Sequence, residues 1–244
     1  MKQLKDFYIK LSLESVDCLR RILDKKRVCP VLKELDELVG LITNFMVGDE
    51  TVKCKLTELG LSDLIHKLWS TLFQSVARLH PAITKKQKPW DCVELIWLEF
   101  LQTLSLYPEG QSNIAKINDV FEIVLALTFS TKTMNKITAL LVLRNLAFYQ
   151  PNRARLLTSG EFLNLLGNKL ETGTVEEKST IVLIMWSLAA NNQKAKIMFK
   201  AAHLDMKLQQ VLKHYQLSSD LISGEEIERM EYVLSVIRDE DKIL

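Results

Sequence analysis

The chain has 244 residues, 48% hydrophobic and 25% charged, a balance that suits a folded core and excludes a disordered chain. Its 32 basic and 30 acidic residues leave a net charge of +2, so no global field draws it toward nucleic acid or anionic lipid. Eight glycines and five prolines fall between apolar blocks, which favours long helices joined by short turns.

The four cysteines (Cys18, Cys29, Cys54 and Cys92) show no CxxC spacing and no histidine at zinc-finger distance. They read as reduced thiols of a soluble intracellular protein. The start, Met1-Lys2-Gln3-Leu4-Lys5-Asp6, lacks the apolar core of a signal peptide. The most apolar runs, Ile137 to Phe148 and Ile181 to Ala190, are too short for a bilayer, which takes about 20 residues. No membrane association is expected.

In chain order, helical apolar spacing opens at Leu4 to Leu23, and Lys25-Lys26-Arg27 suits that helix's C-terminus. Pro30 starts a second helix to about Val47, where Gly48-Asp49 turns the chain. A short helix, Thr51 to Leu59, ends at Gly60, and Ser62 caps another that runs to Leu79. His80 to Pro89, with two prolines and three lysines, reads as a loop insertion. A helix then follows over Trp90–Leu106, then Pro108-Glu109-Gly110, a short helix to Lys116, and another over Asp119–Phe129. Lys136–Tyr149 is the clearest helix. Pro151 restarts the chain after it, Arg153 to Leu157 is short, and Phe162 to Leu170 is amphipathic before Gly173. Val175–Ala190, Lys194–Ala201 and Leu204–Tyr215 complete the pattern. Ser223 caps a final helix with Glu226 three residues on, the spacing of a capping box, and its apolar positions (Ile227, Met230, Val233, Leu234, Ile237) should dock on the preceding unit. No strand pattern occurs.

Asn44, Thr103, Asn145 and Ser187 fall in one column, with spacings of 59, 42 and 42 residues, the first lengthened by the insertion. A period near 42 is the mark of armadillo or HEAT repeats, and the short middle helix at a sharp turn favours armadillo. The expected fold is all-α, an armadillo-like helical repeat array (α-solenoid) forming one domain over 1–244. Its units are 30–79, 90–130, 133–172 and 174–215, with a cap helix at 1–29, the insertion at 80–89 and a cap helix at 223–238.

There is no GxGxxG, P-loop, HExxH or GxSxG motif. His66, His80, His203 and His214 are scattered, and the runs Glu176-Glu177, Glu225-Glu226 and Asp239-Glu240-Asp241 suit helix starts and a tail. No catalytic residue, cofactor site or metal site is read, and an enzyme is not expected. Binding is. In an armadillo array the buried third helix also lines the concave face, where Asn44 and Asn145 would hold a partner's backbone or cap a neighbouring carbonyl. Thr103 and Ser187 leave that ladder incomplete. Trp97 and Trp186 are groove anchors or core, core being favoured. The basic cluster Arg144, Arg153, Arg155, Lys194, Lys196 and Lys200 recurs at equivalent turns and either faces an acidic segment or forms a solvated ridge. Without interleaved exposed aromatics, nucleic acid is disfavoured.

Ala139-Leu140-Leu141-Val142-Leu143-Arg144-Asn145, the turn Pro151-Asn152-Arg153-Ala154-Arg155-Leu156-Leu157, Trp186-Ser187-Leu188 and Gln193-Lys194-Ala195-Lys196 resemble the C-terminal region of the rotatin (anastral spindle) family. The final Glu231-Tyr232-Val233-Leu234 fits as well, and the similarity covers Ile137 to Leu244. The resemblance implies a much longer helical-repeat protein, of which this would be the C-terminal domain with Met1 an artificial start. It implies a non-catalytic scaffold for centriole assembly and elongation in the cytoplasm and cytoskeleton, at the centrosome and ciliary basal body. Its partners would be centriolar proteins, including the small one named as a protein phosphatase 1 regulatory subunit. The alternative is an armadillo adaptor of another class, a transport receptor or a chaperone-ATPase regulator.

Overall fold

The computed structural model describes residues 2–24, 37–42, 44–45, 50–60, 63–64, 66–68, 70, 89–117, 119–217 and 223–239. Lys25-Lys26-Arg27, the Pro30 and Ser62 helix starts and the insertion through residue 88 lie outside these. Among the described residues every regular element is a helix. The chain is an all-α helical repeat of the armadillo-like class. It divides into two compact units, Met1–Val142 and Leu143–Leu244. The division falls inside the repeat placed at 133–172.

In the first unit, α1 (Lys2–Asp24) packs on α2 (Glu50–Glu58), and the Arg20 guanidinium donates to the Leu59 carbonyl just past α2. Val16 and Leu19 face inward on α1, while Phe7 is exposed. Gly60 ends α2 with φ of 81°, the left-handed conformation that glycine takes at a helix C-terminus without penalty. Cys18 and Cys54 carry free thiols. Next come α3 (Pro89–Leu104), α4 (Pro108–Ala115) and α5 (Val120–Leu127), with α4 packed on α3 and α5 on α4. Trp97, Phe100 and Leu101 on α3 are fully buried. So Trp97 is core.

The α3–α4 turn is very tight. A buried side-chain amide, Gln111 Nε2, donates to the Ser105 carbonyl at 2.7 Å, satisfying an acceptor that the ending helix leaves open. The first turn of α4 crosses so close that a Cβ on Gly110 would overlap the Leu104 carbonyl. The same device recurs one repeat on. After α6 (Thr133–Phe148), the chain makes a 3₁₀ turn at Gln150–Asn152, and buried Asn152 Nδ2 donates to the Leu146 carbonyl at 3.2 Å. In both turns the amide sits six residues beyond the carbonyl it satisfies.

In the second unit, α7 (Arg153–Thr158) leads into α8 (Gly160–Thr172), α9 (Val175–Ala189), α10 (Gln193–Ala201), α11 (Leu204–Leu217) and α12 (Gly224–Arg238). Helix α9 packs on α8, α10 and α12, and α12 packs also on α11. Met230, Val233, Leu234 and Ile237 are buried, as the apolar spacing of the last helix leads one to expect, and Ile227 is half-buried.

The capping box forms elsewhere than expected. At α12, Ser223 Oγ does accept from the Glu226 N–H at 3.3 Å, but the Glu226 carboxylate turns away. It accepts from Ser179 Oγ on α9 at 2.6 Å and from Arg229 Nη1 at 2.8 Å, bracing α12 against α9. A reciprocal box closes instead at α9. Glu177 N donates to Thr174 Oγ1 at 3.3 Å, and Glu177 Oε2 accepts from the Thr174 N–H at 3.0 Å. Glu177 Oε1 also takes Lys169 Nζ at 3.0 Å, with side chains only 8% and 4% exposed for the lysine and the glutamate. Gly173 allows the close approach here, since a Cβ there would overlap the Lys169 carbonyl and come within 3.1 Å of Glu177 Oε2.

Two stability measurements test these readings. Glu177→Ala strands a buried ammonium and removes a cap, so urea denaturation should show a loss of about 3–5 kcal/mol. A loss no larger than that of an exposed change would mean the pair is hydrated. Gly110→Ala would stabilise an ordinary helix interior by about 1 kcal/mol. Here the expected effect is a loss of about 1–3 kcal/mol from backbone overlap. A raised denaturation midpoint would show that the turn can open.

Candidate protein-binding surface

Helices α3, α6 and α9 are equivalent elements of successive repeats, and each is buried except along one stripe. The stripe is Leu95, Glu99, Gln102 and Leu106 at α3, then Ile137, Leu141, Arg144 and Phe148 at α6. At α9 it is Ser179, Leu183, Trp186 and Ala190. Within each set the steps are four, three and four residues, and equivalent positions are 42 apart. That is the spacing of one face of a helix. Every one of these positions is at least partly exposed, and the residues flanking them are mostly buried.

The exposed column on these three helices is therefore Gln102, Arg144 and Trp186, one residue before the polar column read from the sequence. Asn145 is only 5% exposed, and its Oδ1 accepts from Arg144 Nε at 3.3 Å and Nη2 at 3.1 Å. Ser187 is buried and donates to the Ile184 carbonyl at 2.8 Å, while Thr103 donates to Glu99. Asn44 is exposed, in the first unit. The two asparagines read as a ladder thus lie in different surroundings, Asn44 exposed and Asn145 buried, while Thr103 is half-buried and Ser187 buried.

In the second unit the fold brings together residues of α6 and α9 that are far apart in the chain. Phe148, 43% exposed, meets half-exposed Trp186 edge-to-face, ring centroids 6.2 Å apart. Arg144 is one turn before Phe148 on the same stripe. Sequence reading passed over Phe148; its place four residues after Arg144, at the open end of α6, was the available signal. It also puts an exposed aromatic ring among basic residues, which the composition alone did not suggest.

The basic cluster does not act as one ridge. Lys196 Nζ is bound to Asp239 Oδ1, and Lys200 Nζ lies 3.5 Å from Asp239 Oδ2. Gln193 Nε2 adds a bond to the same carboxylate at 3.3 Å. Asp239 stands at the C-terminus of α12 with φ of 59°, so these contacts anchor the end of the last helix to α10. The hydrogen bond from Lys196, then that from Gln193, hold its carboxyl below the ordinary value. Arg155 and Lys194 are exposed and Arg153 is half-buried, with its Nε enclosed. Among the described residues, no group of three or more His, Cys, Asp or Glu lies placed to hold a metal ion. Nor is any helix among them long and apolar enough to cross a membrane.

The fold is a helical repeat, and in the second unit α6 and α9 present Arg144, Phe148 and Trp186 along their open sides. No known family profile matches the chain. It is 22% identical to mouse rotatin over 134 residues, 55% of this chain and 6% of that protein. It is 22% identical to human rotatin over 107 residues, 44% of this chain and 5% of that protein. The chain thus corresponds to a small fraction of the length of the curated relatives it matches. Among solved structures, the crystal structure of an engineered protein matches with a TM-score of 0.53 at 16% identity, covering 96% of both chains. That match concerns the fold alone.

The Asp239 contacts predict a pH signature. A carboxyl whose folded pKa is lowered contributes stability that is complete above its ordinary value of 3.8 and disappears as pH falls through the folded value. Asp239→Asn should therefore lower the melting temperature at neutral pH, with the difference from the parent chain closing in acid. A difference that stays constant across that range would assign the effect to shape rather than charge.

Proposed function

We propose that this chain is a non-catalytic protein-interaction scaffold, part of a rotatin-like centriole assembly and elongation protein. In this reading it acts at the centrosome and ciliary basal body and holds another centriolar protein on the stripe of its buried helices. The observation that carries the reading is the pairing of two facts: low-identity similarity to mouse and human rotatin, and a repeat fold that keeps one stripe exposed on otherwise buried helices. Repeat arrays use such surfaces for extended or helical segments of partners. The small protein phosphatase 1 regulatory-subunit-type centriole protein implied by the resemblance is the first partner to try. A transport receptor of the armadillo class would offer regular Trp and Asn columns; here the buried Asn145 and Ser187 and the position of Arg144 give less support to that alternative.

The test is expression of the tagged 244-residue chain in ciliated cells, with imaging against a centriole marker and mass spectrometry of captured proteins. Enrichment of centriole assembly proteins at that marker is expected. A diffuse distribution with capture of transport cargo or a chaperone ATPase would remove the centriolar assignment and leave the adaptor alternative.

A further inference from the structure

The second unit carries a charge asymmetry that narrows what its stripe can hold. Residues 143–160 contain three arginines and no Asp or Glu, and residues 178–204 contain four lysines and again no Asp or Glu. These two stretches take in the part of α6 that lies in this unit, α9 from Lys178 onward, and the turns and first helical residues that follow; exposed Glu176 at the start of α9 lies outside them. In the chain as a whole acids and bases nearly balance, so both stretches are locally basic, and the carboxylates that reach them, Glu226 at Ser179 and Asp239 at Lys196 and Lys200, come from α12. Phe148 and Trp186, one from each stretch, meet edge-to-face.

Arg144 has five N–H donors, of which Nε and Nη2 hold Asn145 Oδ1. Two consequences follow. The buried Asn145 oxygen is satisfied without a partner, and the guanidinium is steadied while keeping donors for a carboxylate. The chain also contains its own example of this recognition: Asp239, brought in from α12, is gripped by Lys196, Lys200 and Gln193. An aspartate is the group these basic residues accept.

Resting on the scaffold reading above, we infer that the Arg144–Phe148–Trp186 face binds an acidic protein segment that places a large apolar side chain against the two rings and a carboxylate on Arg144. Aromatic rings flanked by a guanidinium are the residue types that dominate protein interfaces. Charge complementarity sets the partner's sign and speeds encounter. Single-stranded nucleic acid shares the negative charge, but it binds through rings that offer open faces for base stacking. Here Trp186 and Phe148 meet edge-to-face, with planes at 66°, so each ring partly covers the other.

The experiment uses the full 244-residue chain and fluorescence anisotropy with three dye-labelled probes. They are a short synthetic peptide of alternating Glu and Leu, its twin with Lys for every Glu, and oligo(dT). Arg144→Glu and Phe148→Ser are compared with the parent and with Lys213→Glu, a charge reversal at an exposed position of α11. The acidic peptide should bind and its lysine twin should not. Arg144→Glu and Phe148→Ser should each weaken binding by about tenfold or more, with unchanged circular-dichroism spectra. Equal binding of the two peptides, equal loss in Lys213→Glu, or binding of oligo(dT) alone would overturn the inference. The scaffold reading is judged separately. Centriolar capture that survives Arg144→Glu removes this face and keeps the scaffold. Selective peptide binding without centriolar capture keeps the face and removes the centriolar role.

Discussion

Helix α9 is enclosed by α8, α10 and α12, and this enclosure sets the terms for everything around it. A helix buried on most of its circumference cannot leave its first N–H groups or last carbonyls to water. At its start, Thr174 and Glu177 satisfy each other's backbone, and the same glutamate neutralises Lys169 in the interior. A charge pair so deeply buried gains little over well-packed hydrocarbon, but losing one member leaves the other in a medium that cannot solvate it. Gly173 completes the arrangement by standing clear of the carboxylate. Cap, ion pair and close approach therefore depend on one another at the junction between α8 and α9.

The other end of these helices is handled by turn chemistry. Gln111 and Asn152 each bend back to an open carbonyl six residues earlier, which lets the chain reverse within a few residues without exposing the helix end. At the third junction the solution differs. Asn191 takes a φ of 53°, and Asn192 Oδ1 caps forward onto the Ala195 N–H at 3.2 Å. The repeats are thus alike in their apolar spacing and individual in their polar detail. Such short turns leave each third helix open only along one side, the stripe that ends in Leu106, Phe148 and Ala190.

What the surface offers a partner follows from that geometry. Its residues come from rigid helices, and its polar members are already fixed by internal bonds, as Arg144 is to Asn145. A pre-formed surface of this kind loses less conformational entropy on binding than a loop would. The last helix is fixed in the same manner, through Glu226 to Ser179 near its start and through Asp239 to Lys196 and Lys200 at its end. Arg238 adds a contact to Asp205 at 3.5 Å and a hydrogen bond to Gln209 at 3.0 Å. Polar pairs bracket the apolar docking of α12 on both sides.

Helix class, repeat period and most element ends were legible in the sequence because they rest on local signals. Apolar residues at helical spacing, prolines after turns, and glycines at positions such as Gly60 need no knowledge of distant contacts. The expected starts at Lys136 and Lys194 fell within a turn of the observed ones, and the last helix docks through the residues its spacing singled out. Register within a helix is a different matter. With 3.6 residues per turn, a shift of one residue rotates a side chain by about 100° around the axis. That single step separates half-exposed Arg144 from buried Asn145 and half-exposed Trp186 from buried Ser187. Spacing locates a column to within a residue; only neighbouring helices decide which side of it meets water. The two Thr/Ser-to-glutamate spacings make the same point. Both sequences can close a capping box, yet Glu226 is drawn to Ser179 and Arg229, while Glu177 keeps its cap and adds Lys169. Each carboxylate has two oxygens to satisfy, and the tertiary neighbours, which the local sequence does not specify, determine where they go.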